Sequence, residues 1–419
     1  MPIPSTVNLV EYQTTRAVPA TESELAVLRS VPDLRIEPTP GTAGHFDLTP
    51  GSTVGAVFLA TRAVYIRPKI PISRLFFLLS YSVDPAQWNG QAVHLDQDAS
   101  VLEAVIPGFV WQVRRALARG PLQGYRQEES SLAGLRGRMR LEQQLRSHFG
   151  MAPPLECRYD EYTIDIEENR IIRAAITALK RLPLRSDGVR SLLRTFDSAF
   201  EGVASTSYDP RRFPRITFTR LNRHYEAAIK LSELILNSTS PELRLGAVRA
   251  STFLVDMNEV FEHFVVVGLR EALRVSEGAF PQGCNGRSLF LDRNRSIRLQ
   301  PDLSWWNGTR CVFIGDAKYK RIEIAGLRHA DLYQLLAYTT AARLPEGMLI
   351  YAAGAGNPAD HQVVHAGKTL RVLNIDLHLP PAEILLQVKA VAQKIKAAKE
   401  DFVSNGGLVA GVLDGITGT

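Results

Sequence analysis

The chain has 419 residues, 45% of them apolar and 22% charged, a globular composition with enough apolar material for two or three cored domains. No run of about 18 apolar residues occurs, which excludes a transmembrane helix, and MPIPSTVNLVEYQTT has no basic patch followed by an apolar stretch, so no signal peptide is expected. The net charge of +6 is compatible with a nucleic-acid partner without requiring one. Three distant cysteines, Cys157, Cys284 and Cys311, form no zinc pattern and suit a reducing, cytoplasmic setting.

Residues 1–50 are polar and rich in Pro and Thr, with a short helix expected at Glu22–Arg29. Residues 54–70 alternate in polarity and predict a strand pair ending at Pro68. Helices are expected over Pro71–Tyr81 and Leu102–Leu117, the second with Pro107 as a kink or split point. In the middle, Leu135–Arg140 (LRGRMR) reads as extended and Glu156–Asp165 as a strand. Helices follow at Glu168–Leu182 and Ser191–Phe200, and the turn-rich SYDPRRFP reads as a linker. The last part predicts helices at Leu221–Leu236, Thr252–Leu273 and His329–Ala342. Its strands are expected at Ile297–Trp305, Arg310–Asp316, Met348–Ala352 and Thr369–Ile375, and Pro381–Phe402 is an amphipathic helix before a Gly-rich tail from Ser404. The expectation is a mixed α/β, multi-domain protein: a β-containing N-terminal domain (1–115), a mainly helical middle arm (116–215), an α/β domain with helices flanking a mixed sheet (216–403) and a tail (404–419).

The chemistry concentrates in Leu299–Lys320, LQPDLSWWNGTRCVFIGDAKYK. Trp306-Asn307-Gly308 supplies a turn, and Cys311–Ile314 is a buried strand that delivers Asp316. Residues i and i+2 of a strand share a face, so Asp316 and Lys318 lie side by side, and the hairpin brings Asp302 to them. Two carboxylates beside an ammonium suit phosphodiester hydrolysis: the carboxylates can hold Mg²⁺ (or Mn²⁺ in its place), and the lysine can offset charge on the phosphate. An isolated D-x-K is more often a chance feature of a surface hairpin. Three further signals change that weighting. Pro301-Asp302 precedes it. Gln334 and Tyr338 lie four apart on one helix face, similar to the QxxxY motif after the catalytic strand of RecB-like nucleases. Upstream, NEVFE carries Glu259 and Glu262 on a helix; Glu262 is the candidate third metal ligand, with Glu259 left open. Helix Glu, PD, DAK and QxxxY in this order point to a PD-(D/E)xK nuclease fold with Asp302, Asp316, Lys318, Gln334 and Tyr338 at its centre. Lys320 and Arg321 read as phosphate contacts or solvated charges.

With RPKIPI and LFFLLSY (67–81), LRGRMR (135–140), CRYDEYTIDIEENRII (157–172) and NEVFEHFV (258–265) added to those motifs, the chain resembles the McrC-type subunit of McrBC 5-methylcytosine-dependent restriction systems over roughly residues 55–390. The first 50 residues match nothing in that family. The resemblance implies a DNA endonuclease subunit that works with, and stimulates, a hexameric AAA+ GTPase ring of the McrB type, with no membrane partner. The division of labour agrees with the lack of a full G-x-x-x-x-G-K-[ST] loop: Gly367-Lys368-Thr369 matches only its end, with a strand after it, and Gly354-Ala355-Gly356 reads as a turn. Arg136, Arg138 and Arg140 alternate and become candidates for contact with the ring or its phosphates, against the plainer reading of a solvated basic strand or an exposed loop. Asp160, Asp165 and Asn169 read as residues that cap the 168–182 helix and fix the preceding turn. Two other readings compete: an adaptor that activates an AAA+ partner with an idle nuclease fold, which the complete Asp302–Asp316–Lys318 set argues against, and a stand-alone RecB-like repair nuclease, which the McrC-like middle argues against.

Overall fold

The computed structural model describes residues 5–59, 62–85, 101–184, 186–209, 212–245, 248–283, 287–319, 329–352 and 358–404. Cys284, Lys320, Arg321, residues 354–356, residues 210–211 of the turn-rich segment and the tail beyond Ser404 lie outside the described residues. In chain order the N-terminal part holds β1 (Ser5–Val10), β2 (Thr15–Pro19), α1 (Glu22–Leu28), β3 (Arg35–Pro38), β4 (His45–Thr49), β5 (Thr53–Phe58), β6 (Arg62–Arg67), α2 (Ile72–Val83) and α3 (Val101–Ala116). The middle holds β7 (Gly124–Leu132), β8 (Arg138–Met139), α4 (Leu141–His148), β9 (Leu155–Thr163), α5 (Glu167–Lys180) and α6 (Asp187–Ala199). Then come α7 (Glu226–Ser238), β10 (Thr239–Leu245), β11 (Val248–Asp256), α8 (Met257–Leu273), β12 (Leu289–Phe290), β13 (Arg298–Leu299), β14 (Leu303–Asn307) and β15 (Arg310–Lys318). The chain ends on α9 (His329–Ala341), β16 (Glu346–Ala352), β17 (Ala359–Val363), β18 (Lys368–Ile375) and α10 (Pro381–Phe402).

The described residues form two compact units. One comprises Val105–Leu254 with Val57–Ala63; the other comprises Ser5–Ala56, Val64–Ala104 and the chain from Val255 onward. This division does not follow segments cut at 115 and 215. The chain past 215 stays with the middle because α7 packs on α5, Tyr225 accepts a hydrogen bond from the Leu122 amide at 2.8 Å, and Asn222 donates to Glu168 at 3.0 Å.

The first unit adds a sheet to the helices expected of the middle arm. Its centre is an antiparallel sheet of order β7-β9-β8, with α5 packed on α6 and α7. Strand β7 escapes sequence reading because GYRQEESSL carries almost no apolar alternation: one face is only half-buried and the other is exposed. LRGRMR is not one extended strand either. Gly137 takes φ +68°, where an added Cβ would meet the Arg158 carbonyl oxygen at 2.4 Å, so only Arg138–Met139 remain paired to β9. Helix α5 buries Ile171, Ile172, Ala175, Ile176 and Leu179 completely, at the helical spacing read from the sequence. Its N-cap is Ile166, not Asp165. Asp165 instead bonds both Arg126 and Arg170 and accepts from the Ala204 amide at 2.8 Å. The Arg170 hydrogen bond, foremost, holds its pKa well below the usual carboxylate range. Asn169 does fix the preceding turn, donating to the carbonyls of Ile164 at 2.6 Å and Leu122 at 2.8 Å. Asp160 is exposed.

The second unit carries a five-stranded mixed sheet of order β14-β15-β16-β18-β17, in which β15, β16 and β18 run parallel and the two edge strands antiparallel. Strand β15 is buried along nearly its whole length, as a central strand covered on both faces should be. Ile314 packs with Tyr338 of α9, and Leu335 of α9 packs with Leu349 and Tyr351 of β16. On the other face Lys399 of α10 lies 3.9 Å from the centroid of Trp305, the cross-strand partner of Phe313. Helix α8 begins at Asp256, whose carboxylate caps the Asn258 amide at 2.8 Å, so Thr252–Val255 belong to β11 and not to the helix. It packs against α10 at Gly268, where a Cβ would lie 3.1 Å from Val388, and against α2 through Phe264 and Phe77, ring centroids 5.4 Å apart. A smaller antiparallel sheet, β2-β4-β3, lies within the first 50 residues, where only a helix was expected. Pro107 sits inside α3, which is continuous across it.

Candidate active site

The hairpin between β14 and β15 is the frame. Leu303 pairs with Gly315, so Asp302, one residue earlier, stands across from Asp316. Gly315 is needed because β15 runs close to its parallel neighbour: a Cβ there would meet the Met348 carbonyl oxygen at 2.7 Å. The strand alternation then places Ile314, Asp316 and Lys318 on the face that α9 covers. Asp302 is held by its own carboxylate, which accepts the Ala317 amide at 3.1 Å, while its backbone amide points to Asp316 at 3.5 Å. Lys318 forms an ion pair with Asp316 and lies 3.8 Å from Asp302. Sequence reasoning thus finds the three groups that the fold brings together.

Asp316 is fully buried and Asp302 largely so. Burial, then the Asp302 charge, push the pKa of Asp316 upward against the pull of Lys318. Burial and the charge of Glu262 act in the same direction on Asp302, partly offset by its hydrogen bond with Asp316. Lys318 moves above its ordinary value: burial opposes its charge, but Asp316, Asp302 and, more weakly, Asp331 outweigh it. The centre therefore carries more crowded negative charge than one ammonium neutralises.

Helix α8 brings Glu262 into this field. Its pKa rises through burial and through the charges of Asp316 and Glu259. Glu259 is exposed and has Asp256 as its charged neighbour, so of the two candidates Glu262 faces the centre. Among the described residues no three His, Cys, Asp or Glu side chains are gathered so that they could hold an ion by themselves. Glu262 is felt by the Asp pair through charge. The donor chemistry still fits a hard divalent cation: two buried, oxygen-donating carboxylates in want of positive charge, with the remaining ligands supplied by water, backbone or phosphate oxygen.

Gln334 and Tyr338 meet as their spacing predicts, with Gln334 Nε2 donating to the Tyr338 hydroxyl at 2.7 Å. That hydroxyl donates to the Gln300 carbonyl at 3.0 Å, two residues before Asp302. Tyr338 is buried and Gln334 exposed, so the pair grips the loop that carries Asp302 and presents the amide of Gln334 outward. Sequence reasoning missed Asp331. It is buried on α9, accepts the Tyr351 hydroxyl at 2.9 Å and supports the charge of Lys318. Its position one turn before Gln334 was the available signal.

The three arginines of the middle segment have different surroundings. Arg136 lies over the Tyr159 ring at 4.0 Å and 3.7 Å from Glu161, Arg140 pairs with Glu129 at 3.0 Å, and Arg138 is exposed in the two-residue β8. Exposed apolar side chains surround the same segment, among them Leu135, Leu141, Leu145 and Phe149. Among the described residues no helix is long and apolar enough to cross a membrane.

No curated protein matches the chain. A solved half-complex from a tetradecameric assembly of Thermococcus gammatolerans McrB AAA+ hexamers with bound McrC contains a similar chain, 18% identical, with a TM-score of 0.53 over 93% of this chain and 100% of that one. The cryo-EM structure of the Thermococcus gammatolerans McrBC complex is 19% identical, with a TM-score of 0.41 over 64% of this chain and 88% of that one. The first of these shares its fold with the present chain. The family model described as McrBC 5-methylcytosine restriction system component matches residues 48–352, which include Asp302, Asp316, Lys318, Gln334 and Tyr338 but not the first 47 residues. The chain belongs to the family of McrBC 5-methylcytosine restriction system components.

Proposed function

We propose that the chain is the McrC-type endonuclease subunit of a GTP-dependent, 5-methylcytosine-directed restriction complex, with a PD-(D/E)xK centre that hydrolyses DNA phosphodiesters. The observation that carries this reading is the convergence of Asp302, Asp316 and Lys318 on one hairpin, with Asp316 buried, Asp302 largely so, and the pKa of both carboxyls raised. Asp302 and Asp316 would hold Mg²⁺, or Mn²⁺ in its place. A divalent ion there supplies a polarised phosphoryl oxygen and a bound water of lowered pKa. Lys318, fully charged at neutral pH, offsets negative charge that builds on the phosphate and orients the attacking water by hydrogen bond. Glu262 adds negative charge that favours cation entry, and Tyr338 keeps the Asp302 loop in register through Gln300.

The partner is an AAA+ GTPase ring of the McrB type. Two facts support this: family membership, and fold similarity to a chain from an assembly described as McrB AAA+ hexamers with bound McrC. Arg136, Arg138 and Arg140, with the apolar side chains beside them, are the surface proposed to engage it. Only Arg138 is without a described acidic neighbour among the three expected contacts, so it is the one most ready to meet a new partner. The test is cleavage of methylated duplex with and without such a GTPase, in Mg²⁺ and in excess chelator. Cutting that needs both the partner and the metal supports the reading. Cutting that persists in chelator overturns the metal centre, and partner-independent cutting at full rate overturns the division of labour.

A further inference from the structure

Glu11 lies in the turn after β1, outside the span of the family match, and is 1% exposed. A buried carboxylate needs partners to be tolerated, and the partners of Glu11 lie next to the cleavage centre. Its Oε2 accepts the Lys69 amide at 2.9 Å and the Tyr319 hydroxyl at 3.2 Å. Lys69 returns to the same tyrosine: its ammonium donates to the Tyr319 carbonyl at 3.3 Å and sits 4.0 Å from the centroid of the Tyr319 ring, with the Tyr12 ring at 4.9 Å. Tyr319 is fully buried and directly follows Lys318.

The backbone of the turn is pinned independently of these side chains. The Glu11 amide donates to the Arg67 carbonyl at 2.9 Å, and the Tyr12 amide to the Pro50 carbonyl at 3.0 Å, with Tyr12 at φ +58°. Glu11 is thus a fixed point, and Tyr319 is tied to it at its hydroxyl and, through Lys69, at its carbonyl. The RPKIPI and DAKYK motifs meet on this one carboxylate, which no sequence pattern marks.

We infer that Glu11 is a positioning residue for the proposed cleavage centre: by clamping Tyr319 together with Lys69, it fixes the end of β15 and so the place of the Lys318 ammonium between Asp302 and Asp316. A catalytic group misplaced by about 1 Å can cost about a hundredfold in rate, so a clamp one residue from the lysine has leverage on turnover. It has none on DNA contacts made elsewhere. Burial pushes the Glu11 pKa up to about 7, against the hydrogen bonds from Lys69 and Tyr319 that favour its charged form. The clamp as a contribution to catalysis rests on the nuclease reading; the clamp as a constraint on Lys318 does not.

The experiment uses the full chain with Glu11→Ala, Glu11→Gln, Tyr319→Phe and the Glu11→Ala/Tyr319→Phe double variant. Two quantities are read. The first is acylation of Lys318 by a water-soluble amine reagent, by peptide mass spectrometry, relative to Lys389. The second is kcat and KM for Mg²⁺-dependent DNA cleavage with the GTPase partner. Tyr319→Phe changes one hydroxyl in a buried site and tests the clamp if Glu11→Ala does not fold. The expected result is a severalfold rise in Lys318 acylation for Glu11→Ala and Tyr319→Phe. Their kcat should fall about tenfold at unchanged KM, the double variant should be no worse than Glu11→Ala, and Glu11→Gln, which keeps an accepting oxygen, should recover most of the rate. Unchanged Lys318 acylation in folded Tyr319→Phe and Glu11→Ala overturns the inference. If acylation responds but the wild-type chain does not cut DNA, the clamp stands and the nuclease reading falls.

Discussion

Asp302 and Asp316 hold each other in place through the backbone as well as through charge: the Asp302 amide points to an Asp316 carboxylate oxygen at 3.5 Å, and the amide after Asp316, that of Ala317, donates to Asp302 at 3.1 Å. Each carboxylate is oriented by the other's strand, and the two charges are forced together. Like charges forced together in this way cost stability.

Stability should therefore depend on pH in a direction set by these groups. An acid whose folded pKa is raised binds more protons in the native than in the unfolded chain, so native stability falls as pH rises from the unfolded carboxylate range to the folded value. Asp316, Asp302, Glu262 and Glu11 all act in this sense. Lys318, with its raised value, contributes stability that is lost only at strongly alkaline pH. Thermal melts without divalent ions should show Tm declining between about pH 4 and neutrality, with a shallower slope in Asp316→Asn. A slope unchanged by that substitution would count against a strained carboxylate pair.

Glu262 and Glu259 separate by substitution. Glu262→Gln removes a charge that the Asp pair feels, so Mg²⁺ should be needed at higher concentration for half-maximal cutting. Glu259→Gln, exposed on the same helix, should behave as wild type. Equal shifts in the two variants would show that general helix charge, and not the position of Glu262, matters.

Tyr338→Phe removes the hydrogen bond to the Gln300 carbonyl and should cost about 1 kcal/mol of stability. Because the carbonyl belongs to the loop before Asp302, cleavage should fall further than DNA binding does. A loss of stability with no change in cleavage would confine Tyr338 to packing, where its ring already contacts Ile314 and Leu344.

Much of this centre was legible in the chain because it is local. Asp302, Asp316 and Lys318 lie within one hairpin, where the period of two and a turn at Asn307-Gly308 fix their relation, and Gln334 and Tyr338 lie on one helix face. The misses have physical causes. Strand β7 is solvated on one face and half-buried on the other, so it lacks the alternation that marks a strand. Thr252–Val255 is apolar and runs straight into α8, and only the Asp256 cap separates strand from helix. Glu11 reaches Tyr319 across 308 residues of chain, and a contact of that range leaves no local signal. LRGRMR alternates in sequence, but Gly137 in the left-handed region breaks the strand that the alternation suggests.

Replacing Arg136, Arg138 and Arg140 together by Ala should lower stimulation of the GTPase partner and, with it, DNA cutting by the complex. Asp316→Ala should still stimulate the partner. Normal stimulation by the triple variant would mean that these side chains serve only their neighbours Tyr159, Glu161 and Glu129.

The measurement that bears most directly on the proposed nuclease is Mg²⁺-dependent cleavage of methylated DNA by the partner complex carrying wild-type chain, Asp316→Asn or Lys318→Ala, with Mg²⁺ binding measured on the same preparations. The account predicts cleavage reduced at least a hundredfold in both variants, a large effect for a single transition-state contact. Mg²⁺ binding should be lost in Asp316→Asn and retained in Lys318→Ala, with Tm unchanged or higher in Asp316→Asn. Cleavage within a fewfold of wild type by a folded Asp316→Asn complex would contradict it.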